Sequence, residues 1–231
     1  MVDNRWIEWD MKRVVFIVEG DTEISFIQKC LIPYLYGKGI TNPMNAQKIV
    51  TNRRQNRKGG NVGFEYLKND ICRVAATGNV LITTFLDFFR LPTDFPSFTN
   101  DSNQIDRIEE GIKRKMSEVM DVNFLLPYIQ RHEIEALMFS DMDGFDIVVD
   151  DPKVRKDLKS VIDEYPNPED INSSPEKAPS KRLLALFPYE KTLDGEMILE
   201  ALSIDKIRSK CPRFNDWLEQ LESGIKDERF Y

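Results

Sequence analysis

The sequence predicts an α/β protein with a mostly parallel sheet and flanking helices, followed by a helical C-terminal extension. The first observation is the run Val14–Val18, which is unbroken, apolar and mostly β-branched, as is typical of a strand buried on both faces. The second is Asn79–Leu86, another strong strand candidate, which follows a segment of helical periodicity. Because strands that alternate with helices form parallel sheets with right-handed crossovers, both strands should end at one edge of the sheet.

The other elements are predicted from periodicity and turn residues. Gly20 allows a tight turn after the first strand, and Asp21 or Thr22 can cap the helix that follows. Pro127 places its strand near an edge or a bend. In chain order these elements are a helix at about 22–36, a short strand Gln47–Thr51, a helix over 62–75, a helix Ile105–Met120, a strand Asn123–Ile129, a helical run within Gln130–Ser140 and a short strand Phe145–Val149.

The chain is expected to divide near residue 150. Residues 1–150 would form the α/β core, and residues 151–231 a helical extension packed on that core. The extension contains Glu164–Ser180, a segment without regular pattern, and such length is typical of either disorder or a functional loop. With 231 residues, of which 41% are apolar, the chain can bury a sizeable core.

Composition limits the classes of function. The net charge of −7 argues against a protein that simply coats nucleic acid, but it is compatible with a nucleic-acid enzyme whose carboxylates hold metal. No apolar stretch approaches the ~20 residues that span a bilayer, and the first residues lack an apolar signal segment. Three scattered cysteines without paired spacing favour free thiols. We therefore expect a cytoplasmic protein with no membrane partner.

The histidine content restricts the kind of metal site. With one histidine, His132, the chain cannot build a His-rich zinc site, and we expect His132 to make local hydrogen bonds. Any metal site must rest on carboxylates, whose oxygen ligands suit Mg²⁺ or Mn²⁺.

Acidic residues stand at the predicted transitions from strand to helix. Glu19 ends the first strand, Asp87 ends the second, and Glu23 lies about one helical turn beyond Glu19. Glu133 and Glu135 begin an apolar helical run. Taken singly, each has an ordinary explanation, such as a solvent-exposed strand end or a favourable charge near a helix N-terminus. Their joint placement at one sheet edge favours a site that binds one or two Mg²⁺ ions for phosphoryl chemistry.

Basic residues supply candidates for contacts with phosphate. Lys181 could add charge stabilisation near a scissile phosphate, and its neighbour Arg182 is a candidate nucleic-acid contact. The segment Asn52–Asn61 is strongly basic and is expected to be an exposed loop. A solvated connector is its ordinary interpretation, and a phosphate-contacting loop is the functional alternative. The nucleic-acid candidates in that segment are Arg53, Arg54, Arg57 and Lys58.

Two stretches, VVFIVEGDTE and TTFLDFF, resemble the signature of the Toprim fold, a Rossmannoid α/β fold. In that fold a glutamate ends the first strand and an Asp-x-Asp pair ends a later one. Glu19 matches the glutamate and Asp87 the first aspartate, whereas the second aspartate falls on Phe89, which cannot bind metal. A third ligand must therefore come from beyond the usual pair, and we look for it first at Glu133 and Glu135.

Longer stretches (EGDTE, LDFFRLPTDFP, PYIQRHEIEALMF, and PEDIN with APSKR) resemble a bacterial family of unknown function with a Toprim-like core. Members of that family often lie beside ATPase genes in phage-defence neighbourhoods. Related Toprim effectors, including overcoming-lysogenization-defect proteins, are metal-dependent nucleases. The resemblance implies that Glu19 and Asp87 bind metal and that Glu133 or Glu135 is a third acidic element. It also implies that Glu23 is a supporting or second-metal carboxylate and that Lys181 is a basic catalytic helper.

Three hypotheses about function follow. The leading one is a Mg²⁺- or Mn²⁺-dependent Toprim-like nuclease that hydrolyses phosphodiester bonds in DNA or RNA, as a defence effector with an ATPase partner. The second is a non-catalytic partner-binding module on the same scaffold, with a contact surface formed by Phe88, Phe89, Phe95 and Phe98. The third is a phosphohydrolase that acts on a nucleotide or another small phosphate ester.

Overall fold

A parallel sheet forms the centre of the protein, whose computed structural model describes residues 12–52, 57–58, 63–171 and 175–226. Its strand order is β2-β1-β5-β6, with β7 also paired to β5, and every pair in it is parallel. β3 and β4 form a separate antiparallel pair. The mostly parallel α/β fold expected from the sequence is confirmed. The strands are β1 (Arg13–Val18), β2 (Met44–Lys48), β3 (Val50–Asn52), β4 (Arg57–Lys58), β5 (Val80–Asp87), β6 (Leu125–Leu126) and β7 (Ile129–Gln130).

Helices cover both faces of the sheet and make up most of the chain after β7. None of the described helices combines the length and the apolar character needed to span a bilayer. The helices are α1 (Asp21–Phe26), which continues through a π-helical turn (Ile27–Leu31) into α2 (Ile32–Gly37), α3 (Phe64–Ala75), α4 (Ile105–Met116), α5 (Glu135–Met138), α6 (Phe145–Val148), α7 (Pro152–Glu164), α8 (Pro179–Leu186), α9 (Asp194–Ala201), α10 (Ile204–Lys210) and α11 (Pro212–Lys226).

The alternation of side chains along β1 fills both faces of the sheet. Val14 and Phe16 point into a core shared with helices α1, α2, α5, α6 and α9–α11. Val15 and Ile17 point into a second core shared with α3 and α4. All four side chains are buried, so the strand covered on both faces is confirmed.

The C-terminal helix packs directly on the sheet. The Trp217 ring of α11 stacks on Tyr128 with ring centroids 4.5 Å apart. Its indole N–H donates to Thr83 Oγ1 on β5 at 2.9 Å. The helices after residue 150 therefore share an apolar core with the strands that deliver the acidic residues.

Pro127 interrupts the strand predicted over Asn123–Ile129 and leaves two short strands, β6 and β7. The Thr84 hydroxyl spans the gap, because it donates to the Tyr128 carbonyl at 2.7 Å and accepts from the Tyr128 N–H at 2.8 Å. The threonine thus replaces ladder hydrogen bonds, and pairing resumes with Asp87 opposite Gln130.

Two short strand predictions need correction. Phe145–Val149 was expected to be a strand, but Phe145–Val148 forms α6, packed against α9 with Phe145 inward. A short apolar run does not distinguish one turn of helix from a strand. The strand expected at Gln47–Thr51 is two strands, because the strand is interrupted at the buried Ile49, between β2 and β3.

Two segments expected to be irregular have defined backbone structure where the chain is described. The Glu164–Ser180 segment contains 3-10 turns at Pro168–Asp170 and Pro175–Lys177. Its Glu169 carboxylate is buried and caps α11, accepting from the N–H groups of Arg213 and Phe214 at 2.8 and 3.1 Å. The basic segment Asn52–Asn61 is in part a strand pair, since it contains β4 and begins at Asn52, the last residue of β3.

Candidate functional site

Glu19 and Asp87 meet at the carboxyl edge of the sheet. β1 and β5 run parallel with Val18 opposite Phe85, so the two acids leave the sheet at nearly the same level. They are close enough for the charge of Glu19 to raise the pKa of Asp87. The predicted convergence of the two strand ends is confirmed, at the edge where open α/β sheets bind ligands.

Glu23 faces the same crevice from the first turn of α1. Its side chain is 3% exposed, and its carboxylate accepts hydrogen bonds from the backbone N–H groups of Gly20 and of Glu23 itself. A Cβ at Gly20 would lie 2.5 Å from Glu23 Oε2, so this carboxylate occupies the space beside the glycine. The turn after β1 therefore holds this carboxylate against the backbone.

The segment after β7 brings two further carboxylates to the edge. The Ile134 N–H donates to Asp87 Oδ1 at 3.0 Å, which fixes the segment to the end of β5. Glu135, the first residue of α5, is fully buried. Glu133 turns towards α8, where its two oxygens accept from the Ser180 N–H at 3.1 Å and the Ser180 hydroxyl at 3.0 Å. Glu133 thus caps the N-terminus of α8.

Lys191 brings a positive charge to these carboxylates, and sequence reasoning did not find it. Its Nζ lies 3.1 Å from Glu135 Oε1 and 3.8 Å from Glu23 Oε1. Burial lowers the pKa of Lys191, but the attraction of Asp87, Glu135 and Glu23 outweighs burial and raises the pKa above its ordinary value. The ammonium is therefore charged at neutral pH. Because Lys191 and Glu135 are 56 residues apart, no local spacing reveals the contact.

Burial and mutual repulsion raise the pKa values of Glu19, Glu23, Asp87 and Glu133. Burial is the larger cause for Glu19, the charge of Glu23 adds to it, and the pKa of Glu19 rises to about 7 although Lys191 lowers it. Burial, followed by the charge of Glu23, raises the pKa of Asp87 well above its ordinary value. The pKa values of Glu23 and Glu133 also rise, mainly through burial. These carboxyl groups are therefore protonated more easily than free ones, and a bound cation would favour their charged forms.

The acidic side chains of this site have the chemistry to bind a divalent cation. Their present positions would have to change before they could coordinate one. Closely spaced, buried carboxylates favour cation binding. Glu135 Oε1 is buried without a hydrogen bond of suitable geometry, although Lys191 is near it. Within the described ranges, no three Asp, Glu, His or Cys side chains are arranged to hold a metal ion. A metal would have to draw the carboxylates together and displace the Lys191 ammonium.

Comparisons with known proteins place the chain in a family. Residues 18–222 match the protein family described as Domain of unknown function (DUF4276). The chain belongs to the DUF4276 family. The membership in a family of unknown function that the sequence motifs implied is thereby confirmed.

A solved structure resembles this DUF4276 chain over nearly its whole length. It is the C-terminal region of the Xanthomonas campestris pv. campestris OLD protein, with 14% sequence identity and a TM-score of 0.45. The alignment covers 93% of this chain and 94% of that one. No curated protein sequence matches the chain at a significant level.

The other described site candidates on α8 of the DUF4276 chain, Lys181 and Arg182, lie outside the acidic cluster. Lys181 is exposed on α8, next to the residue that binds Glu133. The Arg182 guanidinium lies over the Tyr165 ring, 5.1 Å from its centroid, and donates to the Tyr165 hydroxyl and the Lys177 carbonyl. Arg53 and Arg54 lie outside the described residues. Arg57 and Lys58 form β4, and only their backbone is described.

Most phenylalanine side chains of the loop that follows Asp87 pack into the hydrophobic core. Phe95 is 3% exposed and packs edge-on against Phe64, and both Phe88 and Phe98 pack against the second core. The aromatic contact surface considered for this loop therefore reduces to Phe89, which, among these described phenylalanines, is packed into neither core.

His132 is a structural residue of the segment between β7 and α5. It has a left-handed backbone with φ 67°, and its carbonyl accepts from the Phe89 N–H at 2.8 Å. Burial, with the positive charge of Arg131 adding to it, lowers the pKa of His132 to about 4. The imidazole is neutral at pH 7.

Proposed function

We propose that this DUF4276 protein is a cytoplasmic, divalent-metal-dependent nuclease that hydrolyses phosphodiester bonds in DNA or RNA. The observation that carries the proposal is that Glu19 and Glu135 lie close enough to Asp87 at one sheet edge for their charges to act on it. Three free cysteines support a reducing compartment: Cys30, Cys72 and Cys211.

Glu19 and Asp87 would hold Mg²⁺ or Mn²⁺ together with Glu135 as the third acidic ligand. When bound, such an ion activates water for attack on phosphorus and neutralises charge on the phosphate. Glu23, fixed by the backbone N–H groups of its own turn, keeps the crevice acidic behind these ligands. Glu133 contributes mainly through α8, whose first turn it holds against the site.

Lys191 is the basic helper that the geometry supports best. Its ammonium already lies at the carboxylates, and 42% of its side chain is exposed, so it can turn towards a phosphate that arrives from solvent. There it would stabilise the negative charge that develops in the transition state. Lys181, assigned this role from the sequence, is exposed one residue beyond Ser180 and would instead contact a flanking phosphate.

The test is cleavage of fluorescent oligonucleotides by the purified protein with Mg²⁺, with Mn²⁺ and with EDTA. We expect cutting with either ion and none in EDTA. Glu19→Gln and Asp87→Asn should abolish cutting without lowering the melting temperature. Glu65→Gln, on the exposed surface of α3, is the matched control and should cut like the wild type. Retained cutting in both site variants would contradict the assignment.

A phosphohydrolase of small esters is separated from a nuclease by salt dependence. Binding of an oligonucleotide releases counterions, so its cleavage should slow steeply between low and high salt. Hydrolysis of a small phosphate ester should change little over the same range. A salt-independent activity that oligonucleotides do not inhibit would favour the small-substrate enzyme.

A non-catalytic partner-binding module is the second candidate, supported by two observations. Within the described residues no three acidic side chains are placed to hold metal, and Lys191 already neutralises part of the charge. A ligand that binds only the native state raises the melting temperature as its concentration rises. If millimolar Mg²⁺ and Mn²⁺ leave the melting temperature unchanged, this candidate replaces the nuclease.

A partner ATPase in phage defence is part of the proposal and rests on the resemblance together with the net charge of −7. A chain this acidic should bind nucleic acid weakly by itself, so a partner would deliver the substrate. We expect an ATPase from the gene neighbourhoods that the resemblance implies to co-elute with the chain and to lower the protein concentration needed for cutting. Separate elution with unchanged cutting would remove the ATPase from the proposal.

A further inference from the structure

The chain reverses direction just after Asp87 in a tight turn whose third residue is Arg90. The Leu91 N–H donates to the Phe88 carbonyl at 3.1 Å, which closes a four-residue turn. Arg90 has φ 64°, in the left-handed region. A turn with positive φ at this position favours glycine, because a Cβ is strained there. An arginine in this strained conformation suggests a role for its side chain.

Hydrogen bonds fix this turn to the edge that carries the acidic residues. The Phe88 N–H donates to the Gln130 carbonyl at 2.9 Å, and the Phe89 N–H donates to the His132 carbonyl at 2.8 Å. His132 is itself left-handed, with φ 67°. These hydrogen bonds hold the turn against the segment around His132. Phe89 lies two residues from Asp87 and is therefore held near the acidic site.

Phe89 and Arg90 present an aromatic ring and a cation to solvent. The Arg90 guanidinium lies over the Phe89 ring, 5.1 Å from its centroid. Arg90 is exposed and Phe89 is partly exposed. No carboxylate in the described part of the chain forms an ion pair with Arg90, although the chain as a whole is acidic. The pair is thus available to a ligand that combines a flat ring with negative charge.

We propose that Phe89 and Arg90 bind an unpaired nucleotide of a single-stranded nucleic acid beside the acidic site. The base would stack on the exposed aromatic and guanidinium surface, and the guanidinium edge would contact the phosphate. Bases in a duplex are already stacked on one another, so a single strand is favoured over a duplex. The inference rests on the proposed function for the position of the scissile bond. It adds the class of substrate, a single-stranded nucleic acid.

The test is the affinity for fluorescent 12-nucleotide strands, measured by anisotropy in EDTA, so that neither metal nor cleavage contributes. Single-stranded DNA, single-stranded RNA and the matching duplexes are compared. The variants are Arg90→Asn, which tolerates positive φ but carries no charge, and Phe89→Ala. Arg107→Ala removes an exposed arginine on α4 and is the matched charge control.

We expect at least one single strand to bind more tightly than its duplex. Each site variant should weaken that binding about fivefold or more, the range of one lost base-stacking contact, while Arg107→Ala binds like the wild type. Unchanged melting temperatures show that the variants fold, and Arg90→Gly, which relieves the backbone strain, serves if Arg90→Asn does not fold.

Wild-type affinity in Arg90→Asn and Phe89→Ala overturns the inference, as does tighter binding of duplex or no binding of any strand. These outcomes are independent of the cleavage test, because binding is measured without metal. If the variants lose binding as expected but the protein does not cleave, the nuclease proposal fails and the single-strand site stands. If cleavage depends on Glu19 but the variants bind like the wild type, the single-strand site fails and the nuclease proposal stands.

Discussion

Lys191 Nζ lies 3.1 Å from Glu135 Oε1, and this contact joins the turn before α9 to the start of α5. The ammonium stands where the negative charges of Glu23, Asp87 and Glu135 would otherwise repel one another. A lysine and a divalent ion meet the same electrostatic need at such a site. We therefore expect them to compete, with Lys191 covering the carboxylates until metal and phosphate arrive.

Replacement of Lys191 by methionine should destabilise the metal-free protein. At pH 8 the carboxylates lose their cation, and we expect the free energy of unfolding to fall by about 1–2 kcal/mol, less than for a fully buried pair because Lys191 is partly solvated. At pH 5 more carboxylates are protonated, and the loss should be smaller. Urea denaturation in EDTA at both pH values measures the difference.

Lys153→Met is the control for this prediction, because Lys153 forms an exposed ion pair with Asp157 on α7. It should change the free energy of unfolding by less than about 0.5 kcal/mol at either pH. Addition of Mg²⁺ should stabilise Lys191→Met more than the wild type. An equal effect of Mg²⁺ on both proteins would show that lysine and metal do not compete.

Glu19 should make the stability of the metal-free protein depend on pH. Its pKa is about 7 in the folded protein against an ordinary value of 4.5, so the folded state binds more protons between these values. The stabilising contribution is complete below pH 4.5 and is lost as the pH rises through 7. Glu19→Gln stays neutral, so in EDTA its stability relative to wild type should increase from pH 5 to pH 8 by about 1–3 kcal/mol. An identical difference at both pH values would contradict the raised pKa.

Gly20→Ala should impair the site while preserving the fold. The new Cβ would lie 2.5 Å from Glu23 Oε2 and would push that buried carboxylate out of its place. We expect a smaller rise of melting temperature with Mn²⁺ and slower cleavage. Gly37→Ala is the control, because no atom lies within 4 Å of a Cβ at the end of α2. Equal responses of the two variants to Mn²⁺ would show that the position of Glu23 does not matter.

Substitution of Glu133 and substitution of Glu135 should have different effects, because Glu133 caps a helix whereas Glu135 would bind metal. Glu133→Gln weakens the hydrogen bonds to Ser180, so it should lower stability by about 1 kcal/mol and retain stabilisation by Mg²⁺. Glu135→Gln should abolish stabilisation by Mg²⁺. Thermal unfolding with and without Mg²⁺ distinguishes them, and the opposite result would exchange the two roles.

The sequence predicts what depends on local patterns. The strands that end at Glu19 and Asp87, the helix that carries Glu23, and the convergence of these acids all follow from apolar runs, turn residues and the rules of parallel sheets. These features depend on neighbours in sequence or on one sheet pairing, and the structure agrees with them.

What the sequence does not predict depends on distant contacts or on backbone conformation. Lys191 reaches Glu135 through the packing of α9 on α1 and α5, which no spacing encodes. The capping role of Glu133 needs Ser180, 47 residues away. Arg90 is notable only through its positive φ, whereas the sequence offers no glycine or asparagine there to signal it.

Anomalous diffraction from crystals soaked in Mn²⁺ tests the central claim most directly. We expect a peak bound by oxygens of Glu19 and Asp87, with Glu135 close to it and the Lys191 ammonium moved away from its present contacts. Crystals of Asp87→Asn, soaked in the same way, should lack the peak. No peak in wild-type crystals at saturating Mn²⁺, with Lys191 still bound to Glu135, would contradict a metal-dependent site at this edge of the sheet.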